Sequence, residues 1–255
     1  MVRAMSEILL CSEPAVLFQS TEEVNLNQAK HFEKIVFPYE GDFQKGLKED
    51  QCTLVSVLAK DALGQFIFKS LEESGINLAP CGLTGNAKSA IWLGTASEKP
   101  VLQTSPSGID QLMPSLVDRL DLYQYNHLHV SGNLLGRTQS LYQSLLHLMA
   151  RASRSRLPVS VDLSNHVDHD YLKGLIHRVD WFVVDNFETA KTLLKLDATR
   201  VIVRSDEMGA YVYESGNEIY IPGKSQASLA EFSGLLIHYS LQDGHLLKAV
   251  RQAMG

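Results

Sequence analysis

The sequence predicts an α/β fold: a mostly parallel sheet between two helical layers, with a small β-sheet lid. Three observations carry this expectation. From about Ile109 onward, segments with helical periodicity alternate regularly with short apolar strands. Repeated units of that kind imply a parallel sheet covered on both faces. The run Cys52 to Leu58 (CTLVSVL) is almost continuously apolar, as a strand buried on both faces requires. A chain of 255 residues, 45% apolar and 20% charged, suits one α/β domain with a small appendage.

Glu7 to Phe18 alternates and is rich in β-formers, so it reads as a first strand. His31 to Phe37 reads as another, and Cys52 to Leu58 as a third. Asp61 to Ser74 places Leu63, Phe66, Ile67 and Leu71 on one helix face, and Gly75 stands where a C-terminal glycine belongs. Lys88 to Gly94 and Val101 to Thr104 read as strands of a hairpin-rich segment. Then come helix Gln111 to Leu116 and strand His127 to Ser131, helix Ser140 to Arg151 and strand Pro158 to Leu163. Helix Tyr171 to Ile176 leads to strand Trp181 to Val184, and helix Glu188 to Leu194 to strand Arg200 to Arg204. Tyr211 to Tyr213 and Glu218 to Ile221 form a hairpin across Ser215-Gly216-Asn217. Leu229 to Tyr239 and Gly244 to Met254 supply two closing helices.

The net charge is −6, from 23 basic and 29 acidic residues, with no long basic run. Nucleic acid is not expected as a partner. No stretch approaches the roughly 20 apolar residues that span a bilayer. The N-terminal apolar stretch is short and interrupted by Glu7 and Glu13, which makes a poor signal peptide. Cys11, Cys52 and Cys81 are scattered, with no CxxC or His-x-x-x-His pattern beside them. Reduced thiols in a cytoplasmic protein are the expectation.

Several short motifs then add up. Val179 to Leu194 reads VDWFVVDNFETAKTLL, and Arg200 to Pro222 reads RVIVRSDEMGAYVYESGNEIYIP. Leu54 to Gly75 reads LVSVLAKDALGQFIFKSLEESG, His129 to Gly132 reads HVSG, and Ser12-Glu13-Pro14 opens the chain. This ordered set resembles the PfkB (ribokinase-like) carbohydrate kinases, and in layout the 2-keto-3-deoxygluconate kinases. The resemblance implies a single ribokinase-like domain over 1–255. Its lid would come from segments about 13–50 and 76–106, with sugar bound between lid and core and ATP along the strand C-termini. It also implies a homodimer paired through the lid.

The same comparison of motifs exposes a gap. In that family the next element is a glycine-rich DTxGAGD turn, which carries the catalytic base and an anion hole. Here the chain runs GKSQASLAEFSGLLIHYSL from Gly223 to Leu241, with no Asp between Asp206 and Asp243. Glu231 is the only nearby carboxylate, and it is the catalytic candidate if any activity remains. The other positions implied by the resemblance are also altered. The early Gly-Gly falls near Pro38-Tyr39, where two side chains obstruct the approach and Pro removes a donor. On the sugar side the implied residues are Glu13, Asp42, Gln103, Asp162 and His166. Gln103 and His166 stand where the family has arginines, and a neutral amide cannot make a charge-assisted fork. On the nucleotide side the implied residues are Asn186, Arg204 and Gly209. Thr189 replaces the glutamate of the NxxE motif, and Asp206 replaces a nucleotide-loop glycine.

Each position has a plainer reading. Asp162 and Asn186 suit strand ends and helix starts, where Asp and Asn act as caps. HVDHD, from His166 to Asp170, reads as a polar helix-entry loop rather than a metal site. His127 and His129 alternate on one strand face as structural histidines, and Trp92 and Trp181 as packing residues. The sequence therefore points to a sugar-kinase homologue whose phosphoryl transfer is weak or lost. Its expected role is binding or regulatory, with a small sugar or sugar acid as the ligand. The alternative is a working kinase that uses ATP and magnesium with a relocated base. No metal site is expected otherwise.

Overall fold

A computed structural model describes residues 5–24, 28–36, 38–95, 101–102, 106–164, 169–205 and 208–255. The chain opens with β1 (Glu7–Cys11), β2 (Ala15–Gln19), β3 (Glu33–Val36), α1 (Pro38–Leu47), β4 (Gln51–Val55) and β5 (Val57–Ala59). It continues with α2 (Ala62–Glu73), β6 (Gly82–Thr84), β7 (Ala90–Gly94), β8 (Val101–Leu102), α3 (Pro114–Val117) and β9 (His127–Ser131). The alternating half supplies α4 (Gln139–Arg154), β10 (Val159–Leu163), α5 (His169–Leu175), β11 (Trp181–Val184) and α6 (Phe187–Lys195). Last come β12 (Arg200–Ser205), β13 (Gly209–Glu214), β14 (Asn217–Ile221), α7 (Leu229–Asp243) and α8 (Leu246–Ala253).

The main sheet has the order β14-β13-β12-β11-β10-β9-β1-β4. β4, β1, β9, β10, β11 and β12 run parallel, and the β13–β14 hairpin adds antiparallel edge strands. Strand alternation splits the core into two layers. Leu9, Leu128, Val130, Val161, Phe182 and Val203 face α4, α5 and α6. Ile8, Leu10, Cys52, Leu54, Val183 and Ile202 face α1, α2, α7 and α8. A second sheet, β3-β2-β7-β8, is the small lid, and β5 pairs with β6 alone. No helix among the described residues is long and apolar enough to cross a membrane.

Three sequence expectations are corrected here. The stretch Glu7 to Phe18 is two strands in two sheets, because the chain turns at Ser12-Glu13-Pro14. Cys52 to Leu58 likewise breaks at Ser56, whose hydroxyl donates to the Ser12 carbonyl (2.9 Å). The helix expected over Gln111 to Leu116 is a 3-10 turn, Gly108–Gln111, followed by α3. Pro114 lacks an N–H and therefore starts the new helix rather than continuing the old one. The expected strand ends at Phe37 and Thr104 lie outside the described residues.

The helix α1 was not foreseen. It lies within the stretch 13–50 expected to form lid, yet it packs on α7 in the core layer. The two helices cross where Gly46 meets Gly234. A Cβ on Gly46 would lie 2.1 Å from the Glu231 carbonyl oxygen, and one on Gly234 would lie 2.5 Å from that of Phe43. The backbones approach so closely that no side chain fits between them. Gly234→Ala is expected to cost about 3 kcal/mol through overpacking. Gly85→Ala, where nothing lies within 4 Å, is the neutral control. Urea unfolding that gives the two variants equal stability would contradict this packing.

Candidate functional site

The parallel strands end together at one edge, and a cavity of about 310 Å³ lies there. The residues after β1 (Ser12, Glu13) and after β11 (Asp185) form its floor with Ser131 of β9. Leu17 and Trp92 of the small sheet form its roof, and Pro38, Tyr39 and Glu40 of α1 close one side. This is where open parallel sheets hold ligands, at the carboxyl ends of their strands. Trp92, read from sequence as packing, is part of the wall.

Behind the cavity a polar column runs through the centre of an otherwise apolar layer. His127 and His129 of β9, Ser160 and Asp162 of β10 are all buried. The Tyr39 hydroxyl donates to Asp162 Oδ2 at 2.7 Å and lies 2.9 Å from His129 Nε2. His129 Nδ1 is 2.7 Å from Ser160 Oγ, and His127 Nε2 is 2.8 Å from the same atom. Asp162 Oδ1 accepts from the Gly132 N–H at 3.0 Å. Burial first, then the adjacent Asp162, pushes the Tyr39 phenol well above its ordinary value, so it remains a donor. Burial holds His127 well below its ordinary value, with His129 adding to the effect, so its ring is neutral.

One arrangement of hydrogen bonds pairs the groups from Asp162 to the His127 Nε2. The Tyr39 O–H donates to Asp162, so the His129 Nε2–H donates to the Tyr39 oxygen. His129 Nδ1 then accepts from the Ser160 hydroxyl, and Ser160 Oγ accepts from the His127 Nε2–H. Phe43 stacks on His129 with ring centroids 4.8 Å apart, which fixes the imidazole.

The acids beside the column are held differently. Glu40 is fully buried, and Ser12 Oγ donates to its Oε1 at 2.5 Å. Its Oε2 has no hydrogen-bond partner. Burial pushes Glu40 up to about 7, against the opposing Ser12 hydrogen bond. Glu13 pairs with Arg137 and accepts from Ser107, and Arg137 also reaches Asp110 at 2.9 Å. Burial raises the Glu13 carboxyl and outweighs the Arg137 attraction, since that guanidinium is shared with Asp110.

The sequence-derived candidates separate into groups. Glu13 lines the cavity, and Asp162 anchors Tyr39. Asp42 is on the outer side of α1, paired with Lys45 at 2.7 Å, and Glu40 takes the cavity position instead. A helical register rather than an extended lid strand explains the exchange. Gln103 and His166 lie outside the described residues. Asn186 is the N-cap of α6, accepting from the Thr189 N–H at 2.8 Å, while Glu188 pairs with exposed Lys191. Arg204 is buried on β12. Gly209 has φ +98° at the start of β13, and a Cβ there would lie 2.3 Å from the Ile221 carbonyl oxygen, so the hairpin requires glycine. Glu231 lies in the first turn of α7, capped through its N–H by Ser228 at 3.2 Å. It is not part of the cavity wall. No group of three metal-ligating side chains occurs among the described residues.

These placements bear on ATP and magnesium. The Asn186 amide is used in a cap, Gly209 in a hairpin, and the α7 start in its own Ser228 cap. The cavity wall carries Glu13, Glu40 and Asp185 and no lysine or arginine among its described residues. Carboxylates suit magnesium, but a triphosphate needs cations or open N–H groups as well, and the described residues of this wall supply no lysine or arginine. On that count the described residues do not fit a triphosphate.

The Glu40 environment gives a measurable pH dependence. Its ordinary value is 4.5 and its native value about 7. Between these the native state binds the extra proton, so stability falls as pH rises across that window. The loss is about 3 kcal/mol in total. Glu40→Gln is expected to remove this slope. Urea unfolding at about pH 5 and about pH 8 would show a parallel decline in wild type and variant if the reading were wrong.

No family model matches the chain, and no curated protein matches it. Solved structures do. A PfkB protein from Polaromonas sp. superposes with TM-score 0.81 at 18% identity, covering 98% of this chain and 93% of that one. An uncharacterized sugar kinase from Pyrococcus horikoshii gives TM-score 0.85 at 14% identity, covering 98% and 90%. A 2-dehydro-3-deoxygluconokinase from Thermotoga maritima gives 0.75 at 18%, covering 98% and 91%. A putative ribokinase II from E. coli, solved in complex with ATP and Mg, gives 0.80 at 13%, covering 98% and 91%. At these identities the likeness is one of fold, and it spans the whole chain: this protein has the ribokinase-like fold of the PfkB-type sugar kinases.

Proposed function

We propose that this protein binds a small neutral polyhydroxyl ligand, of the sugar class, and has lost phosphoryl transfer. The observation that carries this reading is the charge of the cavity wall. Glu13, Glu40, Asp185, Ser12 and Ser131 line the space, with no lysine or arginine among the described residues of the wall. Carboxyl groups and serines accept from and donate to sugar hydroxyls, but they repel phosphate and sugar carboxylates. A sugar acid is therefore the poorer of the two ligands expected from sequence. Glu40, half-protonated near neutral pH, can both donate and accept.

The loss of transfer rests on three side chains. Tyr39 occupies the approach to Asp162, Glu231 stands outside the cavity wall, and Ser228 caps the helix start that would otherwise offer N–H groups to an anion. General-base assistance is typically worth about 10²–10⁴-fold, so a chain with no carboxylate of the α7 start turned to the cavity is expected to turn over near background.

Calorimetry with magnesium and ATP, then with fructose and with 2-keto-3-deoxygluconate, tests both halves. The expected result is no nucleotide heat at micromolar concentrations and tighter binding of the neutral sugar than of the acid. Glu231→Gln is expected to change neither. Micromolar ATP affinity, or turnover that collapses in Glu231→Gln, would overturn the reading.

A further inference from the structure

The two tryptophans of the chain stand in opposite surroundings. Trp181 is buried in the α1-facing layer, against the His127 ring with centroids 4.7 Å apart. Trp92, in the middle of β7, belongs to neither apolar layer of the main sheet. Among the described residues its ring has no aromatic, cationic or hydrogen-bonding partner. It is only partly buried, and it lines the cavity of about 310 Å³ at the carboxyl ends of the strands. A large ring placed outside both cores is left for a ligand to cover.

The strand geometry builds a platform around it. Leu17 of β2 pairs directly with Trp92, and Ala15 pairs with Ala90. Paired residues, and residues two apart along a strand, share one face of a sheet. Ala15, Leu17 and Trp92 therefore make an apolar roof, and Pro38 continues it at one side. The floor is polar, with Glu13, Ser131 and Asp185. The cavity is thus apolar on one side and hydrogen-bonding on the other. Its volume stands at the low end of the roughly 300–1,000 Å³ of small-molecule sites, which leaves room for one monosaccharide.

We infer that Trp92 is a stacking platform that selects the ring form of the sugar, a pyranose with equatorial hydroxyls. The inference rests on the sugar-binding reading above and adds the form of the ligand. Such a ring carries its axial C–H bonds on two flat faces and its hydroxyls round the rim. One flat face covers Trp92 and Leu17, where the C–H hydrogens meet the negative face of the indole. The rim hydroxyls turn to the carboxyl and serine side chains of the floor. An open-chain polyol offers the same kind of hydroxyl but no lasting flat face. It must also give up rotation about its carbon chain on binding.

Calorimetry of the full chain with methyl β-D-glucopyranoside, a locked all-equatorial ring, and with D-glucitol, its open-chain counterpart, tests this. The ring is expected to bind about tenfold more tightly than the open chain. Trp92→Ala is expected to weaken the ring about tenfold and glucitol by less than about threefold. Trp92→Phe, which keeps an aromatic face, is expected to keep most of the ring's affinity. In Trp181→Phe the remaining tryptophan emission is that of Trp92 alone, and the ring sugar is expected to quench or shift it. Failure of both compounds and of fructose to bind would overturn the sugar-binding reading and the platform with it. Binding of fructose alone, or equal binding of ring and open chain, would overturn the platform only. The same holds if Trp92→Ala weakens both alike or neither, or if the ring sugar leaves the Trp92 emission unmoved. A mass by light scattering that halves in Trp92→Ala, with sugar affinity unchanged, would give Trp92 to a second copy of the chain and also overturn the platform.

Discussion

The Tyr39 hydroxyl, set between Asp162 and His129, is the contact on which the rest of the site depends. It ties the first turn of α1 to the C-terminal ends of β9 and β10. Without it one carboxyl oxygen of Asp162 and one ring nitrogen of His129 would be left buried without a partner, each costing on the order of 1–3 kcal/mol. With it, four buried polar side chains are joined in one continuous line from Asp162 to the His127 Nε2. The same contact fixes the register of α1, which places Glu40 on Ser12 and turns Asp42 outward to Lys45. α1 in turn lies against α7 through Gly46 and Gly234, and so governs where the start of α7 and Glu231 can sit.

The order of the chain's second half was legible because its signal is local. Val159 to Leu163 and Trp181 to Val184 are short β-branched or aromatic runs between periodic segments, and the strands occur there. The breaks were harder to see. Ser56 divides an unbroken apolar run, and nothing in the run says that Val57 leaves β4 to pair with Gly82. Pro14 was a better clue, since proline is disfavoured inside a strand. Helix α1 escaped detection because Pro38, Gly41 and Gly46 are poor helix formers by propensity. Proline at the first position suits a helix start, and Gly46 is explained by its tertiary contact with α7, which no local rule supplies.

The site was partly legible. Of the residues the resemblance named, Glu13 lines the cavity and Asp162 lies in its back wall, since each follows or ends a parallel strand. Asp42 pairs with Lys45 outside the cavity and Glu40 lines it instead, because the helix that carries both was unseen. The His127–Ser160–His129 line could not be read at all. Alternation put both histidines on one face, but the bridging serine comes from the neighbouring strand, and strand order is a property of the fold rather than of either segment.

A double-mutant cycle on Tyr39→Phe and Asp162→Asn, read by urea unfolding, tests the central contact most directly. A phenol hydrogen bond to a buried carboxyl predicts a coupling of about 1.5–3 kcal/mol between the two positions. Additive effects, with no coupling beyond about 0.5 kcal/mol, would mean that Tyr39 does not close the site through Asp162.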